Sequence, residues 1–293
     1  MYNDLDHQTR KRQILADLAL LGVAFIWGIT FTVVKVALNG IGPYYFLGLR
    51  FFAAFIFLAL VYARHWRLVN KQSILAGVTI GIFLFGGYAF QTVGLKYTSA
   101  ASAGFITGMS VVLVPLIVIL TSRRLPGPTN LIGAGSAAVG LAALTLQDNL
   151  TFSNGDTLVF FCAVSFALHI ILVGRYVLRF DPIALTIIQI GTVAVASLIG
   201  ALTLEEIPQV LNREVWVALI ITAIPATALA FMIQNRVQCH TSPNHTAIIF
   251  TTEPVFAALY ACIPGGEVLS ARQWAGCLLI IVGMLVAELK SDA

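Results

Sequence analysis

Glu253 carries a carboxyl group inside a long apolar run, and it is the strongest candidate for a chemical role among the side chains of the sequence. A charged side chain at the centre of a bilayer costs about 2.5–3.5 kcal/mol on insertion scales, so such a residue is a functional candidate by default. Pro254 follows it, removes a backbone donor and frees carbonyl oxygens to line a cavity. Glu253 can bind an amine or another cation, take up a proton, or lock its helix to a neighbouring polar group.

Two basic side chains lie in other apolar runs. Arg50, inside the run 44–63, can hold a carboxylate or phosphate with two parallel hydrogen bonds, form an ion pair, or extend toward the membrane surface. It is the best candidate to compensate the charge of Glu253. Lys35, near the end of the run 14–36, is typical of a side chain that reaches the surface. If both basic residues line one cavity, an anionic or zwitterionic ligand is favoured.

Several aromatic side chains are candidates for the wall of a binding site. Trp27 and Tyr88, together with Phe166 and Phe231, can form an apolar lining with a polar handle, or they can simply pack between helices. His169 can relay protons, or it can make an ordinary hydrogen bond between two helices.

The stretch around Glu253 occurs twice. TSPNHTAIIFTTEPV begins at Thr241, and a near copy, TSAASAGFITGMSVV, begins 143 positions earlier at Thr98. Ser110 stands in that copy where Glu253 stands in the other. The duplication therefore predicts a symmetric architecture with a charge at only one of two equivalent places, and both residues are candidates for the site.

Gln91 and Gln234 form a second equivalent pair at the same offset. Their amide groups can donate to a ligand, hold a gate closed, or bond one helix to its neighbour. The sequence leaves these three roles open.

The composition predicts an all-α polytopic membrane protein. Of the 293 residues, 59% are hydrophobic and only 10% are charged, whereas a soluble domain carries about 25% charged residues. Apolar runs of about 20 residues have the length of a membrane-spanning helix. We predict ten spans, separated by Gly, Pro and Asn turn signals: 14–36, 44–63, 73–95, 99–121, 129–147, 155–174, 182–202, 214–234, 243–263 and 272–289.

The loops carry a strong charge bias, which predicts the orientation. Cytoplasmic loops of membrane proteins are enriched in Lys and Arg. The prediction is therefore a cytoplasmic (inner) membrane protein with both termini in the cytoplasm. Twelve basic residues lie on the side of the N-terminus: Arg10, Lys11, Arg12, Arg64, Arg67, Lys71, Arg123, Arg124, Arg175, Arg179, Arg236 and Lys290. The opposite side has three: Lys96, Arg213 and Arg272.

The repeat extends over most of the chain. At an offset of 139, Asp17 matches Asp156 and Pro43 matches Pro182. Each half contains five predicted spans, an odd number, so the second half is expected to be inserted upside down relative to the first. Inverted repeats of this kind are typical of alternating-access transporters, which hold the substrate near the midplane between the halves.

Small residues on the last helix of each half predict close helix packing. Gly133 and Gly140 lie on the fifth span, and Gly276 and Gly283 stand at the equivalent places on the tenth. We interpret these glycines as a contact surface between helices; the alternative is a contact between two copies of the chain.

Other classes of function have no support in the sequence. The net charge of +4 follows the loop bias and does not indicate nucleic-acid binding. No spacing of the four cysteines suggests a metal site. No Walker loop and no hydrolase or protease motif is present. We therefore expect no cofactor, no metal and no enzymatic activity.

The motifs resemble a known family, the EamA type of the drug/metabolite transporter superfamily. The segments that carry the resemblance are FIWGITFTVVK from Phe25, QTVGLKYTSAASAGFITGMSVVLVP from Gln91, and TTEPVFAALYACIPGGEVLSARQWAGCLLIIVG from Thr251. The resemblance implies export or import of small metabolites, including amino acids, through a central cavity lined mainly by spans 1, 3, 4, 6, 8 and 9. The resemblance covers roughly residues 16–290. The expected organisation is a cytoplasmic tail 1–13, EamA-like five-helix repeats at 14–147 and 155–289, and a cytoplasmic tail 290–293.

Together these features predict a secondary transporter that moves a small metabolite, an amino acid or a related organic solute, by alternating access and in the direction of export. Two alternatives remain: an exporter of lipophilic cations or drugs, and a membrane-embedded enzyme or sensor that binds without transporting. The expected partners are a small-molecule substrate, protons and the lipid bilayer. The chain is expected to be a monomer or a weak homodimer.

Overall fold

The chain is helical, and the described residues contain no strand. The computed structural model describes the backbone over 2–98, 100–122, 125–145, 153–265 and 269–288, and the side chains over the same ranges except 2–10, 31, 100–102, 122, 261–265 and 288. Some residues used above lie outside the described ranges: Arg123, Arg124, Lys290 and the expected repeat limits 147 and 289.

The described residues form thirteen α-helices. The first half contains α1 (Tyr2–Ala37), α2 (Pro43–Val61), α3 (Lys71–Gly94), α4 (Ala100–Gly108), α5 (Ser110–Ser122) and α6 (Pro128–Thr145). The second half contains α7 (Asn154–Tyr176), α8 (Pro182–Leu204), α9 (Arg213–Ala223), α10 (Ala230–Val237), α11 (Pro243–Phe250), α12 (Glu253–Gly265) and α13 (Ala271–Glu288). A π-helical segment, Ile224–Leu229, joins α9 to α10, and 3₁₀ segments occupy Ala63–Leu68 and Gln238–His240.

Local side chains determine where several helices begin. The side chain of Asn70 accepts a hydrogen bond from the Ser73 amide at 2.9 Å, before α3. Asp181 accepts one from the Ala184 amide at 2.8 Å, before α8. Helices α2, α8 and α11 have proline in their first turn, where the absent N–H would have no partner within the helix. These caps and prolines explain why the helices begin close to the turn signals of the sequence.

Seven helical stretches are long and apolar enough to cross a membrane, and Ala271–Ala287 is a shorter apolar helix. Backbone polar groups inside a bilayer must be bonded within the protein, and a helix satisfies this requirement. The chain is therefore a multi-pass membrane protein, as its composition predicted. The count of ten membrane spans stays a prediction. The seven stretches are Lys11–Ala37, Pro43–Val61, Lys71–Gly94, Ala103–Thr121, Asn154–Tyr176, Pro182–Leu204 and Arg213–His240.

One expected span, 243–263, is interrupted near its middle. A turn at Thr251 and Thr252 separates α11 from α12. Pro254 explains the interruption, because in a continuous helix its missing N–H would leave the carbonyl of Phe250 without a donor. At the second position of a new helix, the same residue is well tolerated. Helix α12 therefore begins at Glu253.

The expected span 99–121 is interrupted at the equivalent place. A turn at Met109 separates α4 from α5, and α5 begins at Ser110. Both members of the duplicated stretch thus start a new helix at the position that holds Glu253 in one copy and Ser110 in the other.

The contacts of the loops identify two ends of the helix bundle. The loops after α2 and α7 meet at one end, where His65 Nδ1 lies 2.9 Å from Asp181 Oδ1. We call it the tail end, because α1 begins there. The loops after α1 and α8 meet at the opposite, far end, where the Glu205 carboxylate accepts hydrogen bonds from the backbone N–H groups of Tyr44 and Tyr45 at 2.9 Å each.

Helices α6 and α13 approach each other backbone to backbone. A Cβ atom placed on Gly140 would lie 2.7 Å from the carbonyl oxygen of Gly276, and one placed on Gly133 would lie 2.6 Å from that of Gly283. Each of the four glycines that were expected to mediate packing therefore lies at this crossing. The contact joins the last helix of the first half to the last helix of the second.

We predict that Gly140→Ala destabilises the protein by about 1–3 kcal/mol, because its methyl group would overlap the backbone of α13. Gly135→Ala is the matched control on α6, since a Cβ atom at Gly135 has nothing within 4 Å. The control should keep or raise stability, because alanine favours helices over glycine. Thermal unfolding of the purified variants in detergent measures both, and equal unfolding temperatures would contradict the predicted crossing.

Candidate functional site

A cavity of about 620 Å³ lies between the two halves of the chain. All ten candidate residues from the sequence line it: Trp27, Lys35, Arg50, Tyr88, Gln91, Ser110, Phe166, His169, Gln234 and Glu253. Its lining extends to the far-end termini of α1, α3 and α6, at Asn39, Leu95 and Thr145. The sequence thus identified residues that the fold brings together from helices distant along the chain.

Arg50 is held deep in the wall of this cavity. Only 4% of the residue is exposed. Its Nε donates a hydrogen bond to Thr227 Oγ1 at 2.7 Å, and Nη2 donates to the Ala226 carbonyl at 3.4 Å. The guanidinium carbon also lies 5.0 Å from the ring centre of Tyr88 and 5.4 Å from that of Phe51, within the range of cation–π attraction. These contacts fix the cation without neutralising its charge.

The oxygens that hold Arg50 come from the π-helical segment between α9 and α10. Pro225 lies at its start, and a proline inside a helix disrupts the regular hydrogen-bond pattern. In this segment the Ala230 N–H bonds to the carbonyls of Pro225 and Thr227 and bypasses that of Ala226. The Ala226 carbonyl also accepts a hydrogen bond from Trp27 Nε1 at 2.8 Å. Ala226 and Thr227 were not among the site residues predicted from the sequence. The proline within the span 214–234 was the signal that could have identified them.

Glu253 lines the same cavity from the first turn of α12. Its carboxyl group makes no hydrogen bond or ion pair within the described part of the chain, and no carboxylate there lies within 4.0 Å of the Arg50 guanidinium. The expected ion pair between the two residues is therefore not formed. The guanidinium is directed to the π-helical segment and the aromatic rings, and it lines the same cavity as the Glu253 carboxyl group without contacting it.

Aromatic rings form a continuous wall between the two charged groups. The ring centre of Trp27 lies 5.3 Å from that of Phe231 and 5.0 Å from that of Phe250. Tyr88 packs edge-to-face on Phe166, with the ring centres 5.4 Å apart. Such pairs are favourable beyond their apolar area, because the positive edge of one ring meets the negative face of the other.

The remaining polar candidates already have partners within the protein. His169 Nε2 lies 3.0 Å from Gln189 Oε1, and the histidine is buried. This is the interhelical bond that was the alternative to proton relay. Gln91 donates to Thr107 Oγ1 at 3.3 Å, from α3 to α4.

The lining also includes residues near both ends of the site. Gln234 donates to Gln238 Oε1 at 3.2 Å, and Gln238 in turn donates to the carbonyl of Ile170 at 2.7 Å. Gln234 thus connects the cavity to a polar chain that leads toward the tail end. Lys35 stands in the last turn of α1 at the far end, and Ser110 is at the start of α5.

We predict that Thr227→Val lowers the free energy of unfolding by about 1–3 kcal/mol, because it leaves the buried guanidinium with one partner fewer. Thr222→Val is the matched control, since the Thr222 hydroxyl bonds only to the Ala218 carbonyl of its own helix, at 2.7 Å. Thermal unfolding of both variants is the measurement. A control that loses as much stability as Thr227→Val would show that the effect is not specific to Arg50.

Comparison with known proteins agrees with this architecture. The model of the EamA-like transporter family matches residues 14–146 and again 153–288. An uncharacterized transporter of Archaeoglobus fulgidus is 36% identical over 95% of this chain and 87% of its own length. The uncharacterized inner membrane transporter YedA of Escherichia coli is 26% identical over 96% of this chain and 93% of its own.

A solved crystal structure shares the fold, with a TM-score of 0.79 and 19% identity, and it covers 94% of this chain and 96% of the other. The family model thus matches the chain twice, once in each half. On the basis of these matches over nearly the whole length, the chain belongs to the EamA-like transporter family.

Proposed function

We propose that this protein is a secondary carrier for a small zwitterionic metabolite, an amino acid or a related organic solute, which it exports by alternating access. The observation that carries the proposal is that the Arg50 guanidinium and the Glu253 carboxyl group line one cavity without contacting each other. A ligand with a carboxylate and an amine would satisfy both groups.

The chemistry of the cavity matches such a ligand. A guanidinium binds a carboxylate strongly, because it can donate two parallel hydrogen bonds. Glu253, in the first turn of α12, would receive the amine with its carboxylate. The aromatic wall at Trp27 and Phe231 would cover an apolar side chain. The volume of about 620 Å³ is within the usual range of small-molecule sites, roughly 300–1,000 Å³.

The charge of the site argues against an exporter of lipophilic cations. Arg50 would repel a cation, and its contacts hold it in the wall of the cavity. An anionic group on the ligand removes this repulsion. The proposed substrate therefore carries at least one negative charge.

We propose ten membrane spans arranged as two inverted five-helix repeats. In this arrangement α4 with α5, α9 with α10, and α11 with α12 each form one interrupted span. The interruptions at Ser110 and Glu253 support it, because carriers of this architecture use broken helices to hold substrate at the midplane. The excess of basic residues in the tail-end loops supports an inner-membrane location with both termini in the cytoplasm.

In that orientation the described structure is open toward the outside. The lining of the cavity reaches Asn39 and Thr145 at the far end, whereas the tail end is closed by packed side chains. An exporter releases its substrate from this state. The reverse state, open at the tail end, would load substrate from the cytoplasm.

Counterflow in proteoliposomes tests the proposal. The purified protein is reconstituted with an excess of one unlabelled amino acid inside, and uptake of the same labelled compound is measured; phenylalanine, leucine and threonine serve as probes, and tetraphenylphosphonium represents lipophilic cations. Saturable counterflow of an amino acid supports the proposal. Binding without flux supports a sensor, and counterflow of the cation alone supports a drug exporter.

We predict that Arg50→Gln and Glu253→Gln each reduce counterflow about tenfold or more, because each leaves one charged group of the substrate unpaired on transfer into the site. Lys96→Gln is the matched control, since Lys96 is an exposed basic residue in the far-end loop after α3 and does not line the cavity. Wild-type counterflow in both test variants would contradict the assignment.

The pH dependence of Glu253→Gln separates the two roles of the carboxylate. If Glu253 takes up the proton that drives transport, the variant keeps counterflow but loses its response to pH. If Glu253 binds the amine, the variant loses counterflow at every pH. Unchanged uptake at every pH excludes both roles.

A further inference from the structure

The wall of the cavity contains a second kind of surface besides the aromatic rings. On α4 and α12 the lining residues include four that have no side chain or a single methyl group: Gly104, Gly108, Ala257 and Ala258. The two helices and α6 are joined behind this surface, because Phe105 of α4, Leu144 of α6 and Ala258 of α12 belong to one apolar cluster. The small residues therefore lie on a packed and continuous side of the cavity.

Gly104 has free space in front of it. The residue is half-buried and lines the cavity, and Thr107 and Gly108, three and four positions later on the same helical face, line it as well. Among the described residues, no atom lies within 4 Å of a Cβ atom placed on Gly104. A side chain at position 104 would therefore extend into the volume that a ligand can occupy.

Helix packing accounts for Gly108 but not for Gly104. A Cβ atom on Gly108 would overlap the side chain of Leu141 on α6, so a close approach of two helices requires glycine there. Glycine inside a helix is less stable than alanine by roughly 0.5–1 kcal/mol, and no described neighbour of Gly104 offsets this cost. The open space itself is the feature that glycine preserves at position 104.

The open space is on the far-end side of the charged centre. Gly104 precedes Ser110 by six positions, about 9 Å along a helix, in the direction of the far end. Its equivalent in the other repeat, Ala247, is fully buried against Val114 and Ala167 and does not line the cavity. The room beside Gly104 is therefore specific to the half of the site that is open in this structure.

We propose that Gly104 is a specificity-determining residue, which leaves room for a large apolar side chain of the zwitterionic substrate between α4 and α12. Arg50 and Glu253 would hold the two charged ends of the ligand, and aromatic rings occupy the wall between them. The side chain that branches from the carbon between those ends then extends to the side of the small residues. The inference rests on the proposed function and narrows its substrate class to zwitterions with a large apolar side chain.

Two variants that reduce the free space test the proposal, Gly104→Leu and Gly104→Ala. Phenylalanine, leucine and threonine are the probes, and their dissociation constants are measured from protection of the purified protein against thermal unfolding. The wild type should bind phenylalanine and leucine more tightly than threonine, because more apolar surface is buried. In Gly104→Leu the preference for phenylalanine over threonine should fall about tenfold or more, since one methylene in an apolar pocket is worth about 10–200-fold.

Gly104→Ala adds one methyl group and should lower the same preference by a smaller factor. It keeps the test decisive if the leucine variant does not fold. Gly135→Leu is the control, because Gly135 is exposed on α6, has no described atom within 4 Å of an added Cβ, and does not line the cavity. The control should show the selectivity of the wild type.

Counterflow of the same probes separates this inference from the carrier function. Binding that depends on side-chain size at position 104, without flux, supports the inference and contradicts the carrier. Amino acid counterflow with the same selectivity in the wild type and both Gly104 variants supports the carrier and overturns the inference. Equal binding of threonine and phenylalanine by the wild type also overturns it, as does the absence of binding by all three probes, which contradicts the proposed substrate class too.

Discussion

The centre of this protein depends on how a buried guanidinium is stabilised. Arg50 needs oxygen acceptors at membrane depth, and a regular helix uses its carbonyl groups internally. The π-helical segment Ile224–Leu229 provides two acceptors for Arg50, the Ala226 carbonyl and the Thr227 hydroxyl beside it. Because Trp27 bonds to the same carbonyl, the positions of α1, α2 and α10 around the cavity are determined together.

The two halves differ most where the chemistry is concentrated. Arg50 has Gln189 as its equivalent in the repeat, and that amide is bonded to His169 instead of facing the cavity with a charge. Glu253 has Ser110 as its equivalent, at the same interruption of the same kind of span. The first half therefore contributes the basic residues Arg50 and, at the far-end mouth, Lys35, whereas the second half contributes the acidic residue Glu253. A zwitterion, which also has two different ends, is suited to such a site.

The sequence was sufficient to predict the membrane helices and the candidate residues of the cavity, because both follow from patterns visible along the chain. Apolar length predicts a helix, and a polar residue within such a helix indicates a cavity or a partner. It was not sufficient to predict the partners. Arg50 and Glu253 were expected to pair because they have opposite charges, but the actual neighbours of Arg50 include a backbone carbonyl, whose availability depends on a local change of helix type. The type of a residue does not show whether its backbone carbonyl is available as an acceptor. In this segment only the neighbouring proline, Pro225, indicated an irregular helix.

Polar contacts at the tail end suit the repeated opening that the proposed carrier cycle requires. Gln234, Gln238 and the Ile170 carbonyl form a hydrogen-bonded chain there. Separating such groups exchanges protein hydrogen bonds for bonds to water, so the net cost is a small part of the gross bond energy. An apolar closure of the same area would lose its full transfer free energy on exposure. A polar closure therefore keeps the closed and open states close in free energy, which is the condition under which the binding of a ligand can shift the population between them.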